Sequence, residues 1–258
     1  MGIYNCSATL GEALDSLLAQ TELDWDLIMC DDGSSDHTRN IALSYCQKWP
    51  EKMKLITNNT NLGLNITLNR CLKCADGKYI ARQDADDISL PTRFEKEVNV
   101  LEQHPEYAIV STEMALFDNQ GIWGRVKAIP YPDKHDFLLE TPFCHAASMV
   151  RREAFDAVHG YTESSKFLRV EDYDLWIKMY AAGYRGMNIT ESLYEMRDDR
   201  DAASRRKLKY RVNEARVISK AVKCLNLPAT GYVYALKPLL IGLLPNRVYQ
   251  KMHHKRQY

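Results

Sequence analysis

The feature that most restricts the fold is an alternation of strand-type and helix-type segments over the first 85 residues. Leu10, Leu14, Leu17 and Leu18 recur at helical spacing to about Gln20, and Trp25–Cys30 is a buried-type strand. Ile41, Ala42 and Tyr45 mark a second helix, and Met53–Thr57 a third strand. Leu64, Leu68, Cys71, Leu72 and Ala75 form the stripe of a third helix, closed at Asp76-Gly77 before a short strand, Tyr79–Ala81. Such alternation implies a parallel sheet with right-handed crossovers, and ligands bind at the carboxyl ends of its strands. Three polar strand ends are expected on that edge: Tyr4-Asn5, Asp31-Asp32 and Asp84–Asp87. Neither a Gly-x-Gly-x-x-Gly after the first strand nor a P-loop motif is present, so neither dinucleotide-binding nor P-loop chemistry is supported.

Asp84-Ala85-Asp86-Asp87 packs three carboxylates into four positions, and like charges so close repel unless a cation or hydrogen bonds neutralise them. The pattern reads as a site for a hard divalent metal with room for phosphate, or as a solvated acidic loop capping the helix that starts near Pro91. Its place beside two other polar strand ends favours the binding site. Beyond Gln103 the rhythm changes. Tyr107–Thr112, Met114–Phe117 and Ile122–Ala128 read as strands, as do the short segments Arg185–Ile189 and Leu193–Met196. Glu171-Asp172-Tyr173-Asp174 opens a helix stopped at Gly183, where acids also suit the helix dipole.

The formal net charge of zero hides an asymmetry. Residues 203–258 hold thirteen Lys/Arg against the single acid Glu214, so this tail carries +12 and residues 1–202 carry −12. Residues 203–225 form a basic helix with Leu208, Val212, Ala215, Ile218 and Val222 on one side. Tyr232–Leu244 is an apolar run of about thirteen residues, too short to cross a bilayer, which takes about twenty. Followed by Arg247, Lys251, His253, His254, Lys255 and Arg256, it fits an anchor on an anionic membrane surface or a segment packed on the body. No recognition motif or stacking platform supports nucleic-acid binding. The seven cysteines are an odd, scattered set with no visible signal peptide, which points to a reduced, intracellular chain. Cys71-x-x-Cys74 reads as two buried helix residues rather than a zinc or redox pair.

Together these stretches resemble the inverting glycosyltransferases of family 2, of GT-A fold, over nearly all of residues 1–200. Tyr4-Asn5 resembles the end of that family's first strand, and Asp31-Asp32-Gly33-Ser34-Ser35-Asp36 the loop that holds base and ribose. Asn61-Leu62-Gly63-Leu64, Asn69 and Ala75–Ala81 resemble the lead-in to the metal motif, Asp84-Ala85-Asp86-Asp87 the Asp-x-Asp motif, and Glu171-Asp172 the Glu-Asp motif. The resemblance implies an α/β fold with a mostly parallel, Rossmann-like central sheet and a helical basic C-terminal extension. It divides into a nucleotide-sugar subdomain (1–110), an acceptor subdomain (111–202) and the extension (203–258).

The resemblance further implies transfer of a sugar, with inversion, from a nucleotide-sugar donor, most commonly UDP-linked in this family. The acceptor would be a lipid-linked or growing glycan in bacterial surface polysaccharide synthesis, at the inner face of the cell membrane. Asp86 and Asp84 would hold Mg²⁺ or Mn²⁺, and Arg82 would add charge near the nucleotide. Asp172 would be the base, and Glu171 would orient the acceptor. His145, in a loop that the family uses around the acceptor, is a candidate contact or a satisfied core His, and Trp176 is a further candidate for contact with acceptor or diphosphate. Arg197 stands where many members have a metal-binding His; it cannot ligate a metal but can pair with diphosphate oxygens. The apolar run before Tyr4 is short for the family, consistent with an internal or truncated start or with a shortened central strand. That departure keeps a second reading open, a catalytically weak protein of this fold that binds partners through its basic tail.

Overall fold

The computed structural model describes residues 1–198 and 207–243. Strands β1 (Gly2–Ile3), β2 (Leu27–Asp31) and β3 (Met53–Thr57) form a parallel sheet in that order. They are linked by helices α1 (Leu10–Leu18), α2 (Thr38–Lys48) and α3 (Leu64–Cys74). α1 folds as its spacing dictates: Leu10, Ala13, Leu14 and Leu17 lie on one face and are buried. They pack on β2, which is buried along its whole length.

The expected fourth parallel strand is instead part of a second sheet. β4 (Tyr79–Ala81) pairs antiparallel with β8 (Met149–Arg151), at the end of a mixed sheet ordered β4-β8-β6-β9-β5. The other members are β5 (Ile88–Ser89), β6 (Ile109–Asp118) and β9 (Gly186–Arg197); β7 (Gly121–Val126) forms a hairpin with β6. The physical cause is β1, whose ladder to β2 is two residues long and does not bridge β2 to β4. A cleft of about 510 Å³ lies between them, lined by Met1, Leu27, Ile28, Leu68, Ile80 and Ala81 among others. The Met1 amine donates to the Ile28 carbonyl at its wall (2.8 Å).

Four short strands expected on either side of two breaks are two continuous ones. β6 and β9 pair in parallel from Ile109–Gly186 to Phe117–Arg197, with register shifts between Thr112 and Met114. The polar stretch around Thr190-Glu191 that looks like an end of strand is a bulge within it.

The second core surrounds α6 (Glu171–Ala181), which follows the short α5 (Arg152–Ala157) and whose Leu175, Trp176, Ile177 and Met179 are fully buried. α7 (Leu208–Cys224) packs into it through Val217, Ile218, Ala221 and Val222. Its buried face is rotated from the expected one. Leu208 and Val212 are exposed, whereas Arg211 is 7% exposed and pairs with Glu214 (2.7 Å). Asp174 of α6 is fully buried and accepts from Thr162 Oγ1 (2.6 Å) and from Lys220 of α7.

A 3₁₀ segment, Ala229–Ala235, leads into α8 (Leu236–Gly242). Val233, Leu236, Leu240 and Leu243 are exposed along one line at helical spacing. Among the described residues no helix is long and apolar enough to cross a membrane. Leu244 and the cations from Arg247 to Arg256 lie outside the described residues. Cys71 is buried but Cys74 is exposed, correcting the expectation that both are interior; both are free thiols. α3 ends at Cys74, so that residue falls on its solvent-facing last turn.

Candidate active site

The end of β2 builds one wall. Asp31, 2% exposed, accepts from the Ser34 backbone N–H (3.1 Å), tightening the loop that follows. Asn5, in a left-handed conformation (φ 46°), donates its N–H to Ser34 Oγ (3.0 Å), and its Oδ1 accepts from the Ser35 N–H (2.9 Å). Both residues therefore shape the loop. Asp32 is 3% exposed and accepts from Asn58 Nδ2 (2.7 Å) and from the backbone N–H groups of Leu62 (2.8 Å) and Gly63 (2.9 Å). That fixes the Asn61 loop against β2. Gly33 (φ 75°) makes the approach feasible: a Cβ there would lie 2.8 Å from the Thr60 carbonyl carbon. The resulting open cleft of about 330 Å³ is lined by Tyr4, Asp32 and Asn61 on this side and by Glu171 opposite.

The Asp84–Asp87 loop rests on buried polar groups. Gln83 Nε2 donates to the carbonyls of Asp84 (3.1 Å) and Asp87 (2.9 Å), and Gln83 Oε1 accepts from Ser89 Oγ (2.6 Å). Arg93, completely buried at the start of helix α4 (Arg93–Gln103), donates to Ser89 Oγ (2.8 Å), Gln83 Oε1 (3.2 Å) and the Arg82 carbonyl (2.8 Å). The Asp84 N–H donates to Tyr194 Oη (3.2 Å). Burial pushes the Asp84 carboxyl up, but the Arg82 guanidinium hydrogen-bonded to it holds it below its ordinary value. Asp86 is pushed up by partial desolvation and by the Asp84 charge; burial and the same charge push Asp87 up to about 7. Arg197 closes the loop, its N–H donating to Asp87 Oδ1 (2.8 Å) and its Nε to the Asp86 carbonyl (3.0 Å). It also pairs with Glu12 and lies over Phe117.

Glu171 and Asp172 open α6. Burial raises Glu171, opposed by backbone N–H donors including that of Arg169. Tyr161 links this pair to the Asp84 loop. Its hydroxyl is pushed up by burial, lies within electrostatic range of Arg82, Asp172, Glu171 and Asp84, and shares a hydrogen bond with His145 Nε2 (2.8 Å). Trp176 is 0% exposed with its ring edge-on to His145, so it backs the site and has no face for an acceptor, against the sequence expectation. Sequence reasoning missed Gln83, Arg93, Tyr161 and Tyr194. Only Arg93 left a trace, a cation on the apolar face of α4 with Glu97 one turn on.

His145 is pushed down to about 3, first by burial and then by the Arg82 charge. It is neutral in the folded chain and protonates near 6.5 when unfolded. Its contribution to stability is therefore complete above about pH 6.5 and is lost as pH falls toward 3. His145→Gln is expected to flatten the acid limb of a Tm-versus-pH curve between pH 6 and 4; an unchanged limb contradicts this.

A family model described as Glycosyl transferase family 2 matches residues 1–158. The chain belongs to glycosyltransferase family 2. EpsE of Bacillus subtilis (strain 168) is 42% identical over 256 residues, covering 99% of this chain and 92% of that one. The amylovoran biosynthesis glycosyltransferase AmsE of Erwinia amylovora is 29% identical, covering 95% and 92%. An Escherichia coli UDP-Glc:alpha-D-GlcNAc-diphosphoundecaprenol beta-1,3-glucosyltransferase, WfgD, is 29% identical, covering 69% and 67%. Among solved structures, S. aureus TarS in complex with UDP superposes with TM-score 0.68 at 18% identity, covering 94% of this chain and 69% of that one. The Pyrobaculum calidifontis mannosyltransferase PcManGT, in complex with GDP-Man and Mn²⁺, gives 0.64 at 18%, covering 98% and 71%. At that identity they support the shared GT-A fold. The chain is thus a glycosyltransferase.

In this transferase no cluster of three or more His, Cys, Asp or Glu side chains cages a metal among the described residues. Asp86, with Asp84 largely engaged by Arg82, fits a Mg²⁺-like ion, which binds through one or two carboxylates and completes its shell with water and substrate phosphate.

Proposed function

We propose that the transferase moves a sugar, with inversion, from a UDP-linked donor to a hydroxyl of a lipid-linked or growing glycan acceptor. The observation that carries this reading is convergence: Glu171 lines the same cleft as Asp32 and Asn61, beside Asp172, and Tyr161 lies within range of Asp172, Glu171 and Asp84. Donor and acceptor classes take support from the E. coli relative and from the UDP complex of TarS. In this reading Tyr4 and the Asp32-supported Asn61 loop receive the nucleoside, and Asp86 with Asp84 holds Mg²⁺ or Mn²⁺. A bound divalent ion stabilises charge on the leaving diphosphate. Arg197 and Arg82 fix the carboxylates around it. Asp172 takes the proton of the attacking hydroxyl, Glu171 orients it, and a single base with in-line attack inverts the anomeric centre.

Thermal shift with UDP tests the donor site. Mn²⁺ is expected to raise the UDP-induced Tm increase in the wild type, because donor and metal bind only the folded chain. Asp86→Asn is expected to abolish that Mn²⁺-dependent part while keeping the metal-free shift. An equal Mn²⁺ effect in both would remove Asp86 from the metal site.

The extension is proposed to rest on the inner face of the cell membrane. The exposed line Val233, Leu236, Leu240 and Leu243, the exposed Lys207 and Lys209 and the +12 charge support an anionic surface as its partner. Co-sedimentation with vesicles containing phosphatidylglycerol, and not with pure phosphatidylcholine, is the expected result.

A further inference from the structure

The cleft of Asp32 and Asn61 has a third wall that the family motifs do not supply. Leu168 and Arg169, ahead of α6, and Tyr210, in the first turn of α7, line it together with Glu171. Of the described residues lining it, Arg169 is the only Lys or Arg; the ionised groups otherwise present there, Asp32 and Glu171, are acidic. A nucleotide brings a diphosphate, and a cleft of acids alone would repel it.

The backbone at Arg169 is specific. Its φ of 68° is uncommon for a residue with a Cβ, and its N–H donates to the Glu171 carboxylate. α7 holds this segment in place. Asn213 Nδ2 donates to the Leu168 carbonyl (3.0 Å), and Arg216 donates to the Lys166 carbonyl (3.2 Å). Arg169 is exposed at the cleft, within electrostatic range of Glu171, and has no carboxylate at salt-bridge distance among the described residues, unlike Arg82 and Arg197.

We propose that Arg169 pairs with the diphosphate of the bound donor nucleotide, while Tyr210 closes the same cleft over its nucleoside, making α7 part of the donor site. This rests on reading the cleft as the donor site. Charge-assisted hydrogen bonds to phosphate are among the stronger polar contacts, and Arg presents a planar fork matched to phosphate oxygens.

The test is titration of the full chain with UDP by calorimetry and with uridine by saturation-transfer NMR, with GDP and guanosine in parallel. Arg169→Gln is expected to weaken diphosphate binding by about tenfold or more and leave the nucleoside unaffected. Arg169→Lys should recover part of the loss. Arg169→Gly, which suits the left-handed backbone but lacks the guanidinium, should lose as much as Arg169→Gln. Tyr210→Ala should weaken nucleotide and nucleoside alike. Full-strength diphosphate binding by Arg169→Gly, or by Arg169→Gln, overturns the assignment while leaving the donor site standing. A wild-type chain that binds neither UDP nor GDP overturns both.

Discussion

Asp172→Asn is expected to lower kcat for glycosyl transfer by about 10²–10⁴-fold, the range general-base catalysis supplies. The substitution keeps size and hydrogen-bonding polarity at the second residue of α6 and removes the carboxylate's charge and with it the capacity to take a proton. Affinity for UDP should stay within a few-fold of wild type, because the cleft is lined by Glu171 and the Asp32–Asn61 wall. A fall in kcat with unchanged UDP affinity identifies a group that acts in the transition state. Near wild-type turnover would remove Asp172 as the base. A variant that loses UDP binding as well would instead mark it as a support of the cleft.

The largest stability effect is expected at Arg93. Its guanidinium is fully buried, pairs with the equally buried Glu97 (3.2 Å) and holds Gln83, Ser89 and the Arg82 carbonyl. Removing one partner of a buried ion pair costs about 3–5 kcal/mol because the other charge is left uncompensated. Arg93→Met should therefore lower Tm by roughly 10 °C, taking about 2–4 °C per kcal/mol for a chain of this size. The Arg93→Met/Glu97→Gln pair should recover part of that loss, since it removes the stranded carboxylate. Differential scanning calorimetry decides. An effect below about 1 kcal/mol would show that the Asp84–Asp87 loop does not depend on this platform. A stable variant with weakened Mn²⁺-dependent UDP binding would separate the loop's geometry from the fold's stability.

Part of the proposed site was legible because its signals are local. Helical spacing in α1 and α3 and the acidic ends of β2 and β4 singled out Asp31-Asp32 and Asp84–Asp87 without any knowledge of pairing, whereas Asn61 was reached through the family resemblance. What escaped depends on residues far apart in sequence. The Asp84 N–H reaches Tyr194 across 110 positions, and the Arg197 N–H reaches Asp87 across another 110. No periodicity records such partners. The sheet assignment of β4 escaped because strand pairing is settled by neighbours, and the two-residue β1 left β4 to β8. The face of α7 was misjudged for a similar reason. Its pattern includes Leu208 and Val212, yet pairing with Glu214 lets Arg211 turn inward in their place.

The buried Asp174–Lys220 contact bears on how such enzymes diversify. A recombinant that exchanged C-terminal segments between relatives would have to carry compatible residues at 174 and 220 together, because Asp174 has no access to water and its carboxylate is also engaged by Thr162. An exchanged extension must therefore fit α6, which begins with the two acids proposed for the reaction. Altering the extension and keeping the proposed chemistry are, in this architecture, a single evolutionary problem.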